Sequence, residues 1–445
     1  MRNTRFQTPI TRSQQDRGLS AHLGRLLAMT GRAAARGRSL ALTLLLPLIL
    51  LGCDSLLDVE LPGSVEADDL ANPGLANTLV DSAVGQFECS LTSYVVSVGT
   101  LSSELINTSS FLNLNPWGWR GLELETITGG CPSGRNATAI GAYSPLQQAR
   151  YLSEEAFELI SDFPADEVPN RDEQLATLAA YAAYSYTLLG EGFCEMAIDQ
   201  GPLITPSQVF QDAEVWFDQA ISLAESAGSV ELRDLALVGR ARVRLNLGDM
   251  NGAAQDADRI PEGFVWYSEY STIDGRRENR IYNLNRRNRN LGVDWRRYAD
   301  LQVGGVSDPR VPVEDSGELG SDNQSPHWYQ LKFPSAETDI RMASWEEAQL
   351  ILAEARPAEA VDAVNRLRAA QGLPAVDGSD PADPLELVLE ERRRELFLEG
   401  HRYNDMLRHG LEFPPDENHK GQSYGPITCM PLPDQERQNN PNISG

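Results

Sequence analysis

The sequence predicts a mainly α protein: tetratricopeptide-like pairs of antiparallel helices form a scaffold, interrupted by two loop-rich insertions and a few short strands. Three observations carry this reading. Apolar residues recur at helical spacing through about 143–262 and again through about 341–410. Residues of about 100–142 and 263–340 lose that period and are rich in Ser, Asn, Thr, Gly and Pro. Several helices rich in small residues end on a glycine, and each is followed at once by another helix.

The chain opens on a leader. Residues 1–52 hold eight Arg, no Lys and one Asp, a local charge of +7. From Leu40 to Leu51 there are about a dozen mostly apolar residues, against the ~20 a membrane-spanning helix needs. A short apolar core behind an Arg-rich stretch is the layout of a secretory signal peptide. Leu50-Leu51-Gly52-Cys53 resembles a bacterial lipobox, which places lipid on Cys53. The blander alternative is an ordinary signal whose apolar core ends at a cysteine. Met29 would start a signal of normal length. The expected division is therefore a signal over 1–52, a lipidated tether over 53–66 and one domain over 67–445.

Subtracting the leader's +7 from the chain's −26 leaves −33 on residues 53–445. So acidic a body is repelled by nucleic acid and anionic lipid, so lipid rather than charge must hold it to a membrane. Besides Cys53, four cysteines remain: Cys89, Cys131, Cys194 and Cys429. An even number in an exported chain suits two disulfides, with three connectivities that sequence does not separate. A weak preference falls on Cys89–Cys131 with Cys194–Cys429, because the first pair brackets one loop-rich segment. No CxxC spacing occurs, and no metal or cofactor is expected.

Element by element, Asp68 to about Tyr94 carries Leu70, Leu75, Leu79 and Val84 at helical spacing. A Ser-Pro start at Ser144 opens a helix striped by Leu146, Ala149, Leu152, Ala156 and Leu159. The next places Leu175, Leu178, Ala182 and Leu189 on one side. Thr205-Pro206 begins a third helix, which stops at Gly228. A helix, a Gly248-Asp249 turn and another helix then lead to Pro261. "SWEEAQLILAEARPAEAVDAVNRLR" repeats the paired pattern. Such pairs resemble tetratricopeptide repeats in degenerate form, the alternative being any antiparallel helical array. Short strands fit 301–303 and 329–333. After Pro384, "LELVLEERRRELFLEGHRYNDMLRHG" reads as one long helix closing on Arg408-His409-Gly410.

Catalytic motifs are missing: there is no HExxH, GxSxG, Walker loop or helix-opening GxGxxG. Glu391 and Glu395 suit an acid/base pair by type, but ion pairing with the neighbouring arginines on a helix face is the better account. The chain is not expected to be an enzyme. Tryptophans are more telling. Trp216 and Trp345 fall on helical stripes, whereas Trp117, Trp119, Trp266, Trp295 and Trp328 fall in the loop-rich stretches. Beside Arg120, Arg296 and Tyr329 they suit sugar rings, which stack an apolar face on an aromatic and bond hydroxyls to forked polar groups. Plugging the loops onto the scaffold accounts for any one of them equally well. Eight arginines in 276–297 suit an acidic glycan, or internal pairing with the surplus carboxylates, which is favoured.

Together these features resemble the SusD/RagB family of outer-membrane nutrient-binding lipoproteins. "WEEAQLILAEA…AVDAVNRLRAAQGLP" and "LEERRRELFLEGHRYNDMLRHG" carry the resemblance, with a weaker match at "GTLSSELI", where Ser103 stands in place of the family's usual Asp. The resemblance implies a surface-exposed, lipid-anchored protein that captures an oligosaccharide, an acidic glycan or a peptide. It implies delivery to a SusC-type TonB-dependent transporter, with no cofactor and no nucleic acid. Loops 100–142 and 263–335 would face the ligand. The alternatives are a lipoprotein scaffolding an outer-membrane assembly complex and, less favoured, a surface glycan hydrolase.

Overall fold

The computed structural model describes residues 72–443, apart from 123, 125, 126, 133, 135, 136, 415 and 416. The leader, Cys53 and the tether lie outside the described residues.

Helix α1 (Ala76–Leu101) follows a 3-10 turn at Pro73–Leu75, where the Asn72 side chain accepts from the Gly74 N–H. Strand β1 (Leu105–Asn107) and the short helix α2 (Asn115–Gly118) come next. Five helices then pack each on its successor: α3 (Tyr143–Asp162), α4 (Arg171–Gly192), α5 (Pro206–Ala227), α6 (Val230–Leu247) and α7 (Met250–Ala257). Helix α1 lies against α3 and α4. Local sequence sets the boundaries. A capping box joins Thr205 and Gln208 at the start of α5, and left-handed glycines end α5 and α6, Gly228 at φ 72° and Gly248 at φ 81°.

The second irregular stretch is a series of small pieces: β2 (Val265–Ser268), a helical turn α8 (Arg280–Tyr282) running into a π-type turn at Asn283–Arg287, β3 (Leu291–Val293) and α9 (Trp295–Tyr298). It continues through β4 (Gln302–Val303), β5 (Val306–Ser307), β6 (Val313–Leu319), β7 (Pro326–Gln330) and β8 (Ile340–Ser344). Four antiparallel pairs form, β1–β3, β2–β8, β4–β5 and β6–β7. The pattern predicted strands at 301–303 and 329–333; the first is β4, and the second lies three residues earlier as β7, its pairing with β6 ending at Gln330.

The chain returns to helix with α10 (Trp345–Ala355), α11 (Ala360–Ala370), α12 (Pro384–Glu395) and α13 (His401–Arg408), and closes with α14 (Asp434–Asn439). Helix α10 packs on α7, α11 and α12, which joins this pair to the repeat array. The stretch 385–410 is not one helix. It breaks between α12 and α13, where Leu398 (φ 55°) and Gly400 (φ 91°) are left-handed. Tertiary contacts replace the helical bonds there: the Leu398 N–H donates to Glu104 at 2.9 Å, and Lys332 Nζ donates to the Phe397 carbonyl at 2.9 Å.

The core runs along α1, α3–α6 and α10. At its centre Phe87, Tyr181, Tyr184 and Phe217 meet edge to face, and Tyr184 Oη donates to the Leu235 carbonyl at 2.9 Å. Disulfides link Cys89 to Cys131 and Cys194 to Cys429. The first fastens the 108–142 loops to α1, and the second fastens the C-terminal tail beside the end of α4.

Candidate functional site

Three segments distant in sequence meet on one face: the loop after β1, the start of α9, and the tail over 417–425. Pairing of β1 with β3 brings the first two together, aided by the Thr108 N–H donating to Asn290 and the Asp294 N–H donating to Glu104. The tail closes over them. The Gly425 N–H donates to the Trp119 carbonyl at 2.6 Å, and Lys420 Nζ donates to the Ser109 carbonyl at 2.6 Å while pairing with Asp322 at 2.9 Å.

Tyr424 is the link between the side chains. The Arg120 guanidinium lies 4.2 Å from its ring centre, and Arg296 hydrogen-bonds to it. Asp294 grips Arg296 through two bonds of 2.8 and 2.9 Å, and Arg296 lies 6.0 Å from the Trp295 ring centre. His419 meets the Trp295 ring edge-on at 5.9 Å. Neither ring nitrogen of His419 finds a partner among the described residues, and burial lowers it to about 4, so the imidazole is neutral at neutral pH. Trp119, Trp295 and Tyr424 are all half-buried. At the rim, Phe111 is 46 % and Leu112 85 % exposed.

The face can therefore stack a flat apolar ring and bond hydroxyls through the exposed Arg296 guanidinium that Asp294 holds. Among the described residues no helix is long and apolar enough to cross a membrane, and no group of His, Cys, Asp and Glu is placed to hold a metal.

The predicted residues do not all gather here. Trp117 is a correction: it is fully buried in the core beneath the loop and offers no stacking surface. Arg120 is buried as well and acts from below, through Tyr424. Trp266 sits on β2, where its Nε1 donates to Tyr181 at 3.3 Å, so it plugs that strand onto the helices. Trp328 packs on the core from β7, and its carbonyl accepts from Asn285. Tyr329 bonds Glu318 at 3.2 Å with Arg286 lying 4.9 Å from its ring centre, and so belongs to the β6–β7 hairpin. That leaves Trp119, Trp295 and Arg296 on the converged face.

Most arginines of 276–297 have internal partners. Arg277 pairs with Glu88, Arg287 with Glu278, Arg289 with Glu318, and Arg296 and Arg297 with Asp294. The carboxylates of α12 are structural too. Glu391 is fully buried between Arg310 and Arg368, and Glu395 lies near Arg341 at 3.3 Å. Sequence reasoning missed His419, Tyr424, Phe111 and Leu112. A tail rich in Pro and Asn shows no period that would mark its aromatic residues as site residues.

The fold and this face define a class: a helical-repeat scaffold that presents one aromatic, hydrogen-bonding surface built from its loops and tail. Residues 336–444 match the model of the SusD family. The fold is similar to that of a SusD superfamily protein from Parabacteroides distasonis, with TM-score 0.62 and 14% identity over 86% of this chain and 99% of that one. It is also similar to a SusD-like protein from Bacteroides fragilis, with TM-score 0.62 and 12% identity over 85% and 98% of the two chains. Surface glycan-binding protein A from Bacteroides thetaiotaomicron, in complex with laminarihexaose, gives 0.59 and 13% over 84% and 98%. No curated sequence relative matches. The C-terminal segment thus matches the SusD family model, and the described fold is the one these structures share.

Proposed function

We propose that this protein captures a glycan on the face built by Trp119, Trp295, Arg296, His419 and Tyr424, and hands it to a SusC-type TonB-dependent transporter. The observation that carries the reading is the convergence of three distant segments to set half-exposed Trp119, Trp295 and Tyr424 beside fixed polar groups. Internal pairing of the arginines favours a neutral glycan over an acidic one. The similar fold of surface glycan-binding protein A in complex with laminarihexaose supports the same class of ligand.

In this reading Cys53 carries the lipid, 53–66 is the tether, 67–445 is the working domain, and the protein sits at the outer-membrane surface. It binds without turnover.

The test is titration of intrinsic tryptophan fluorescence with laminarihexaose, maltohexaose, cellohexaose and xylohexaose. One of these should bind, and Trp295→Ala should weaken it by about 2 kcal/mol, roughly thirty-fold in Kd. Equal affinity of wild type and variant would sink the face. A gentle pull-down from the outer membrane should recover a TonB-dependent barrel; recovery of assembly components in its place would favour the scaffold reading. Incubation with the bound sugar should release no product.

A further inference from the structure

A second cleft lies elsewhere, between the start of α3 and the tail at α14, with a volume of about 300 Å³. None of the residues just assigned lines it. Its walls are rich in side-chain amides: Gln147 and Gln148 on α3, Gln200 on the turn after α4, and Gln435, Asn439 and Asn440 on the tail. Tyr151, one turn along α3 from Gln147 and Gln148, stands at its edge with half its surface exposed. No Lys or Arg lines it, and the single carboxylate there, Glu436, accepts from Asn440 at 3.0 Å.

The cleft is held ready. Asp199 (φ 49°) and Gln200 (φ 58°) are consecutive left-handed residues without the excuse of glycine, a conformation costing roughly 1 kcal/mol or more each. Three side chains hold that turn. Buried Arg150 grips Asp199, Asn442 Nδ2 donates to the Gln200 carbonyl at 2.7 Å, and Asn440 Nδ2 donates to the Gly201 carbonyl at 2.9 Å. The Cys194–Cys429 bridge and an Arg437–Glu195 pair at 2.8 Å fasten the opposite wall. The side-chain amides of Gln200 and Gln435 take no partner among the described residues, so donors and acceptors are left facing the space.

We infer that this cleft is a second binding site, for a neutral saccharide. Gln200 and Gln435 each offer a donor and an acceptor side by side, which matches adjacent sugar hydroxyls, and the Tyr151 ring offers the apolar face. Gln147 and Asn440 are spent on internal bonds that shape the wall. Its volume lies at the small end of ligand pockets and suits one or two pyranose rings. An anion is disfavoured because no cation lines the walls and the body around them is acidic. The inference is independent of the tryptophan face, since the two share no residue.

The experiment is hydrogen exchange read by mass spectrometry on the detergent-solubilised protein, with the same four neutral hexasaccharides as probes. At least one should slow exchange in peptides covering 198–201 and 434–440. Tyr151→Ala with Asn439→Ala, both exposed and chosen to leave the melting temperature unchanged, should raise the saccharide concentration needed for that slowing at least ten-fold. Trp119→Ala with Trp295→Ala should leave it unaltered. If no probe slows exchange there, if the slowing survives the cleft variant, or if the tryptophan variant abolishes it, the cleft is not a saccharide site. Loss of protection at 117–121 and 294–298 alone would instead count against the first face.

Discussion

Glu391 shows how a local pattern can be right in kind and silent on depth. Alternating acids and bases on α12 announce ion pairs, and ion pairs form, but with Arg310 and Arg368, 81 and 23 residues away, and with no exposure to solvent. Helical spacing reports which face a residue occupies, not whether another element covers that face. Arg368 Nε and Nη2 donate to Glu391 at 3.0 and 2.5 Å, and Arg310 Nη1 donates at 2.5 Å. Removing one member of such a group strands buried charge, whereas the intact group roughly balances its own desolvation. Glu391→Ala should therefore cost about 3 kcal/mol, the lower end of the usual range, because Arg310 keeps Asp308 and Arg368 keeps Asp380. Glu391→Gln retains an acceptor and should cost less. Urea unfolding midpoints decide it; a midpoint unchanged in the alanine variant would mean the network adds nothing to stability. Trp117 teaches the same lesson, since neighbours read from sequence did not reveal that it points into the core.

At the scale of elements, small residues do the reading. Helices ending in Leu-Gly and rich in alanine announced close crossings, and Gly239 shows how close. A methyl group placed there would lie 2.2 Å from the Phe217 ring of α5 and 2.9 Å from the Tyr184 ring of α4. Both rings are fully buried and edge-packed on one another, so neither can swing aside. Overpacking of this kind costs about 1–3 kcal/mol, against a helix-propensity gain of about 1 kcal/mol for Gly→Ala. Gly239→Ala should lower the melting temperature. Gly85 on α1 meets only the Arg277 guanidinium at 3.2 Å, the far end of a flexible side chain, so Gly85→Ala should be neutral or stabilising. Calorimetry of both variants checks the contrast in sign. What the period could not show is the break inside 385–410. Apolar spacing continues through it, and the helix yields only because Glu104 and Lys332, from outside the segment, take over its backbone groups.

For the whole molecule, the repeat array was legible because each pair follows a local period, while the tryptophan face was not, because it exists only where residues near 119, 295 and 424 meet. The same burial that hides such contacts from the sequence sets a pH dependence. Burial raises Glu104 and Glu191 to about 7, so each holds a proton more firmly folded than unfolded. Their contribution is fully present below about 4.5 and is lost as pH rises through about 7. Buried His327 and His419 are lowered to about 4, so their contribution is present above about 6.5 and lost as pH falls toward 4. Glu354, bonded by His409 and Arg408 strongly enough to outweigh its burial, is lowered to about 2 and adds a loss confined to stronger acid. From pH 6.5 to 8 the histidines stay neutral in the folded state and lose only their remaining half-charge in the unfolded one, so the glutamates raised to about 7, Glu88 among them, outweigh them in the slope. Stability should therefore peak on the acidic side of neutrality and fall over that interval. Glu191 sits near the Asn246 and Asn404 amides, which donate to it at 3.5 and 3.4 Å, and Glu191→Gln keeps an acceptor there while removing the titration. Melting temperatures of wild type and Glu191→Gln at pH 6.5 and 8 provide the check. The variant should lose less on going to pH 8, and an equal or steeper loss would show that the buried carboxylates do not set the slope.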